Sequence, residues 1–553
     1  MVVEEAEKRL QIADYVVFAL TLAISLGIGL YHAFTGDRQR TTKDFLMGNR
    51  QLRTLPVALS MLVSFISAVL VLGTPAEMYT RGTLLFMRSI GYGFACLISS
   101  CLFVELFHRL NITSSFEYLE HRYNSRLCRL VAMISMLIGS ILYMGICMYT
   151  PSTALEAVTG FPLWASILAS GLIATIYTTL GGMRAVIWTD VFQAGVMIAG
   201  MLAIVIQGSI EVGGFTKIWN LNKAGGRLIF FDFNVDPTQR LSIWSTVIGG
   251  MISAIGTFGC GQASVQRYCA LPTLRQAKMT LLLNIPFLLI VNILAALVGL
   301  TVYAYYADLG CDPLKQGYIS NSNQLVPYFV LDVLNYPGVN GIFLAVLFSG
   351  ALSSLSSSMN SAAAVTWEDL LKRFLHHISE DKKALITKLL VIMYGGIAMV
   401  LAYLANNLGG HVLQLSLSVS GATVGPSLGM FLLGALFPCA NAIGAFVGAV
   451  LSSALMLWLI IGANLNSNRT PTLPTSTANC SVLNATSYFE IDSYESRGLT
   501  YDFSMTFSPP EETNPIGVLN KFYSVSFLWY ATIGSFATII FGLIISLLNG
   551  EVI

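Results

Sequence analysis

The chain has 553 residues, 55% hydrophobic and 11% charged, with a formal net charge of +1. Soluble domains carry about 25% charged residues, so this composition excludes an ordinary soluble protein and points to one that crosses a membrane many times. The near-neutral balance sets aside nucleic-acid binding, and the six histidines show no metal-ligand spacing.

Helices that cross a bilayer need about 20 apolar residues. Such segments are predicted at 13–34, 55–79, 84–107, 131–157, 161–180, 186–209, 241–261, 280–304, 338–365, 388–407, 411–436, 440–463 and 524–547, thirteen in all. The first follows MVVEEAEKRL, which is not a basic leader, and no small-residue cleavage site comes after it. It is therefore expected to remain as a helix.

The second segment, LPVALSMLVSFISAVLVLGTPAEMY, places Ser64 and Ser67 at mid-membrane and Gly73-Thr74-Pro75 near its outer end. Irregular backbone survives at that depth only inside protein or beside water, so a break here marks a site. The third segment encloses one cation, Arg88. After the fifth comes GGMRAVIWTDVFQ, in which Asp190 is a surface charge, a partner of Arg184, or part of an ion path, since burying an acid at this depth demands a reason. The seventh segment carries glycines at 249, 250, 256, 259 and 261, which suit either close helix packing or a second break.

The ninth segment is the most informative. Between Gly341 and Asp369 it reads GIFLAVLFSGALSSLSSSMNSAAAVTWED, with seven serines in an apolar helix. Any one of them can simply bond back to its own helix or permit close packing. The density at Ser349, Ser353, Ser354, Ser356, Ser357 and Ser358 suggests instead a set of hard oxygens that replaces water around Na⁺.

Segments 2–6 and 7–11 form two units of five helices, and because five is odd they run in opposite orientation, as in inverted-repeat transporters. The predicted organisation is a first helix and inner loop at 1–54, one repeat at 55–210, a second at 211–436, and two last helices at 437–553 with a polar loop at 465–522. The inner loops hold 18 Lys and Arg against 11 outside if the N-terminus is extracellular, which favours N-terminus out and C-terminus in. Three sequons in the polar loop, at Asn468, Asn479 and Asn484, agree with that orientation, and a fourth at Asn111 falls on the inner side. Of nine cysteines only Cys311 and Cys480 lie outside, where a disulfide between them can persist. No GxxxxGK[ST] motif occurs, so transport would draw on a gradient rather than on bound ATP.

The segments SFISAVLVLGTPAEMY, GGMRAVIWTDVFQ, GQASVQRY, CDPLKQGYI, SGALSSLSSSMNSAAAVTWEDL and FLWYATIG follow one another through nearly the whole chain. With them the sequence resembles the sodium/solute symporter family, in particular its branch of sodium-coupled monocarboxylate, multivitamin and iodide transporters. The resemblance implies an all-α membrane protein with a five-plus-five inverted-repeat, LeuT-like core, one helix before it and two after. It places a Na⁺ site at Val63, Ile66, Gly350, Ser353 and Ser354, and Asp190 on the inner ion path. It also places Ser67, Leu70, Tyr143, Gln414 and Ser416 around the substrate, where Phe258 would act as a thin gate or only as core packing. Leu70, Ala351, Leu417 and Gly261 depart from the family's usual polar or aromatic residues, which argues against iodide and puts a second Na⁺ site in doubt.

The expectation is a plasma-membrane symporter, not an enzyme, that carries Na⁺ with a small organic anion. Lactate, pyruvate and short fatty acids come first among the solutes. Biotin, pantothenate, iodide, sugars and polyols are alternatives, as is a sensor that binds solute without moving it. Membrane lipids are the surrounding partner, and no nucleic acid is expected.

Overall fold

A computed structural model describes residues 11–35, 41–333, 337–405, 412–466, 472–480 and 518–550, and every regular element among them is helical. Ten helices are long and apolar enough to cross a membrane: Ile12–Phe34, Thr83–Leu110, Arg126–Glu156, Leu163–Val212, Leu274–Leu309, Val339–Leu371, Glu380–Leu404, Val412–Leu436, Ala442–Leu465 and Phe527–Asn549. An eleventh span is the pair Thr54–Phe65 and Ala68–Arg81, bent by 57°. Large apolar side chains such as Trp164, Ile210, Leu457 and Leu465 stand exposed on the outside, the surface that lipid covers.

Two further features bear on the predicted count. Fifty residues of α-helix extend about 75 Å, far more than a bilayer core of about 30 Å, and Leu163–Val212 is in fact broken at Gly182, where φ is 53° and ψ −154°. That backbone is open to glycine and strained for other residues. The apolar stretch Ser245–Cys260 is shorter, and opens and closes with wide π-helical turns. Dividing the long helix and counting the short one gives a helix for each of the thirteen predicted segments; length and composition alone give ten, or eleven with the bent pair.

The serine-rich helix Val339–Val365 is the axis of the packing. It is buried at every position except Val339, Ile342 and Ser358, which a single helix achieves only when neighbours surround it. Its start is fixed from the first helix. Asp14, fully buried, accepts from Gly338 N–H at 2.9 Å and Gly341 N–H at 3.1 Å, so an acid sits at the positive end of the helix. A Cβ on Gly341 would lie 2.3 Å from the Asp14 carbonyl oxygen, so this approach needs glycine.

On the predicted outer face Cys311 and Cys480 form a disulfide, with Cα atoms 4.8 Å apart. The bond holds the segment 472–480 against the helix ends: Leu473 N–H donates to Thr80 O at 2.8 Å and Asp312 N–H to Ser476 O at 2.9 Å. Asn479 is exposed beside it. Asn468 and Asn484 lie outside the described residues.

Candidate ion and substrate site

The bend of the second span falls at Ile66 and Ser67. In a continuous helix Leu70 N–H would bond to the Ile66 carbonyl. Here it bonds to Ser67 O at 3.0 Å, and Val71 N–H shares the same acceptor. The Ile66 carbonyl is thereby released from the ladder. Ile66 N–H reaches both Leu62 O and Val63 O, which leaves the Val63 carbonyl a second lone pair.

The serine-rich helix meets the bend at this point. A Cβ on Gly350 would come within 2.9 Å of Ala68 N and 3.1 Å of the Ser67 carbonyl carbon, so only glycine lets the two backbones approach so closely. One turn on, Ser354 Oγ donates to Ser64 O at 3.1 Å. Ser353 Oγ donates to Asp190 Oδ1 at 2.5 Å. The five residues expected to ligate Na⁺ thus lie where one bent backbone and one serine ladder converge. Their oxygens are hard and neutral, a donor set that suits weak, releasable binding of Na⁺.

Ser353 also opens onto a larger polar cluster. Asp190 and Arg267, at most 1% exposed, pair with Oδ2 and Nη2 3.2 Å apart. Ser60 Oγ donates to Asp190 Oδ2 at 2.5 Å and accepts from Arg267 Nε at 2.9 Å. Arg267 Nη2 also donates to Ser64 Oγ at 2.7 Å and to Ser357 Oγ, and Nη1 to Ala263 O at 3.0 Å. Four helical segments, at 54–65, 163–212, 262–268 and 339–365, are tied together. Asp190 is therefore neither a surface charge nor the partner of Arg184. The arginine that reaches Asp190 is Arg267, from the short helix Gln262–Tyr268, 77 residues away in the chain.

On the other side of the bend lies a cavity of about 240 Å³. Ser67, Leu70, Tyr143, Phe258 and Ser416 line it, together with Ile66 of the bend. Tyr143 stands beside Ser67, Ser354 and Cys147, so one phenol touches both the cavity and the serine ladder. Phe258 packs edge-on against Phe65 with centroids 4.8 Å apart. Gln414 does not line the cavity. One residue rotates a helix by about 100°, so Leu413, Ser416, Leu417 and Ser420 face inward while Gln414 turns away and accepts from Arg240 Nη1 at 2.5 Å. Arg240 in turn pairs with Glu77 at 3.0 Å, which ties the upper half of the bent span to the helix Val412–Leu436. Ser356 and Ser361 bond back to Ser353 O and Ser358 O, the bland role.

The family model described as the sodium:solute symporter family matches residues 45–452. The chain belongs to the sodium:solute symporter family. Sodium-coupled monocarboxylate transporter 1 of Xenopus laevis is 42% identical over 97% of this chain and 85% of that protein. The human sodium/iodide cotransporter is 40% identical over 97% of this chain and 83% of that protein. The fold is that of a solved Na⁺-coupled sialic acid symporter in an outward-open state, with a TM-score of 0.76 and 24% identity over 97% of this chain and 98% of that one. Family membership makes this protein a transporter rather than an enzyme, with many membrane spans, Na⁺ as coupling ion and a small solute as cargo.

Sequence reasoning missed Arg267, Ser60 and the Arg240–Glu77 pair. Arg267 was legible only as a loop cation within VQRY, and Glu77 as an acid near a helix end. Nothing in the spacing of either pair announces its partner.

Proposed function

We propose that the protein carries Na⁺ together with a small monocarboxylate into the cell by alternating access across the plasma membrane, its N-terminus outside and C-terminus inside. Val63, Ile66, Gly350, Ser353 and Ser354 hold the ion, and Asp190 lies on its inner path. Ser67, Leu70, Tyr143, Phe258 and Ser416 surround the solute. The repeats run 55–210 and 211–436. Iodide remains in the panel below because the iodide cotransporter is about as similar as the monocarboxylate one.

The observation that carries this reading is the shared corner. The bend at Ile66 and Ser67 meets the serine helix at Gly350 on one face and lines the cavity on the other, with Tyr143 beside both Ser67 and Ser354. Na⁺ bound between the bend and the serine helix favours the conformation in which both are drawn together, and the solute then binds a formed site. Coupling needs each ligand to prefer one state. The cavity's size suits a short acid, since pockets for drug-sized ligands run about 300–1,000 Å³, and this weighs against the vitamins. One Na⁺ per monoanion would move no charge; two would add about 2.3 kcal/mol per 100 mV.

The test is uptake of labelled lactate, pyruvate, butyrate, biotin, pantothenate, iodide and glucose into cells expressing the chain, in Na⁺ and in choline. Uptake of the short acids alone, and only in Na⁺, is expected. Na⁺-dependent uptake of glucose or a vitamin alone would overturn the substrate, and equal uptake in choline would overturn the coupling.

A further inference from the structure

Arg88 is a cation at the start of the helix Arg88–Leu110, 3% exposed and lining the same cavity as Ser67, Leu70 and Phe258. Its Nε and Nη1 are buried with no hydrogen-bond partner. Among the described residues no carboxylate lies within ion-pairing distance of it. The other deeply buried arginines are satisfied: Arg267 by Asp190 and three serines, Arg227 by carbonyls of Tyr79, Gly225 and Leu473. A guanidinium without a partner in such a place is costly, and inside a membrane it marks a binding function.

The surroundings hold this side chain toward the cavity. Its stem packs on Gly250, where a Cβ would lie 2.8 Å from Arg88 Cγ, so the glycine leaves the channel in which the arginine lies. Its guanidinium carbon sits 5.1 Å from the centre of the Tyr92 ring, and Tyr92 continues edge-on to Phe258. Aromatic faces steady a cation without neutralising it. The charge is therefore positioned but left unmatched. The cavity's other polar lining carries no formal charge: serine, threonine and tyrosine hydroxyls, Cys260, and Gln262, whose amide is already bonded to Thr113 O and Ser115 N; position 70, where a polar residue was expected, is leucine.

We propose that Arg88 is the carboxylate receptor of the transport cavity, its planar fork meeting both oxygens of a small organic acid whose apolar tail lies toward Leu70 and Phe258. This rests on the organic-anion reading above and names the group that selects the anion. A guanidinium donates two parallel N–H bonds to a carboxylate, a match that a neutral amide or a single halide ion does not offer.

The experiment compares the intact protein with Arg88→Met and Arg88→Lys, each normalised to protein at the cell surface. It measures Na⁺-dependent uptake of lactate against lactamide and iodide, and the Na⁺ concentration for half-maximal uptake. Arg88→Met should raise the lactate KM by about 10- to 100-fold, abolish the preference for lactate over lactamide, and move the Na⁺ half-saturation by less than about twofold. Arg88→Lys should fall between, because its point charge lacks the fork. A variant that reaches the surface with an unchanged lactate KM and preference overturns the role of Arg88 while leaving the proposed symport intact. If the unmodified protein takes up no carboxylate but moves lactamide or iodide, both readings fall together. Should Arg88→Met not reach the surface, Arg88→Lys decides: an unchanged KM and preference overturn the proposal.

Discussion

Arg267 and Arg88 are both buried within this membrane protein, and their surroundings are opposite. Arg267 donates to one carboxylate, three hydroxyls and a carbonyl; Arg88 offers Nε and Nη1 to nothing. A buried charge with every nitrogen bonded belongs to the architecture, and here it binds four helical segments to one another. A buried charge with donors to spare belongs to a ligand. The same residue type thus serves as a structural tie in one place and as the proposed receptor in the cavity, and only their bonding partners tell the two apart.

The comparison breaks first at Arg267. Arg267→Met leaves Asp190 buried without its partner, at a cost of about 3–5 kcal/mol, and thermal unfolding in detergent should show a large fall with little protein at the cell surface. Asp190→Asn combined with Arg267→Met should recover most of that stability. Arg88→Met should do the reverse: unfolding temperature equal to or above that of the unmodified protein, with the lactate KM raised. If the two single variants were equally unstable, the contrast between them would be lost.

Smaller effects sharpen the account on the ion side. Ser353→Ala with Ser354→Ala removes two oxygens at the bend, and the Na⁺ concentration for half-maximal uptake should rise about tenfold, the equivalent of about 1.4 kcal/mol. Unchanged Na⁺ dependence would move the ion elsewhere. Leu70→Thr adds one hydroxyl to the cavity wall, and a shift of about fivefold in uptake toward short hydroxy acids such as lactate is expected, read as the ratio of lactate to butyrate KM.

The positions of the spans were legible because each is an apolar run of membrane-spanning length, and the serine ladder because hydroxyls at that density are rare in lipid. The bend was legible in kind but not in place. Gly73-Thr74-Pro75 looked like the interruption, yet Pro75 sits within the continuous helix Ala68–Arg81, and the chain bends at Ile66 and Ser67. Asp190 was singled out by its depth, but its partner was not, since folding brings Arg267 to it from 77 residues away in the chain. Gln414 was misplaced by a single helical step. Arg88 stood out as a cation in a span, and only the cavity around it gives that charge a use.

The most direct test of the account is transport by purified protein in liposomes, where nothing but the imposed gradients can drive it. With Na⁺ outside and none inside, labelled lactate should accumulate above its external concentration and then leak back as the Na⁺ gradient decays. Lactate that only equilibrates, at the same rate in Na⁺ and in choline, would contradict Na⁺-coupled monocarboxylate symport.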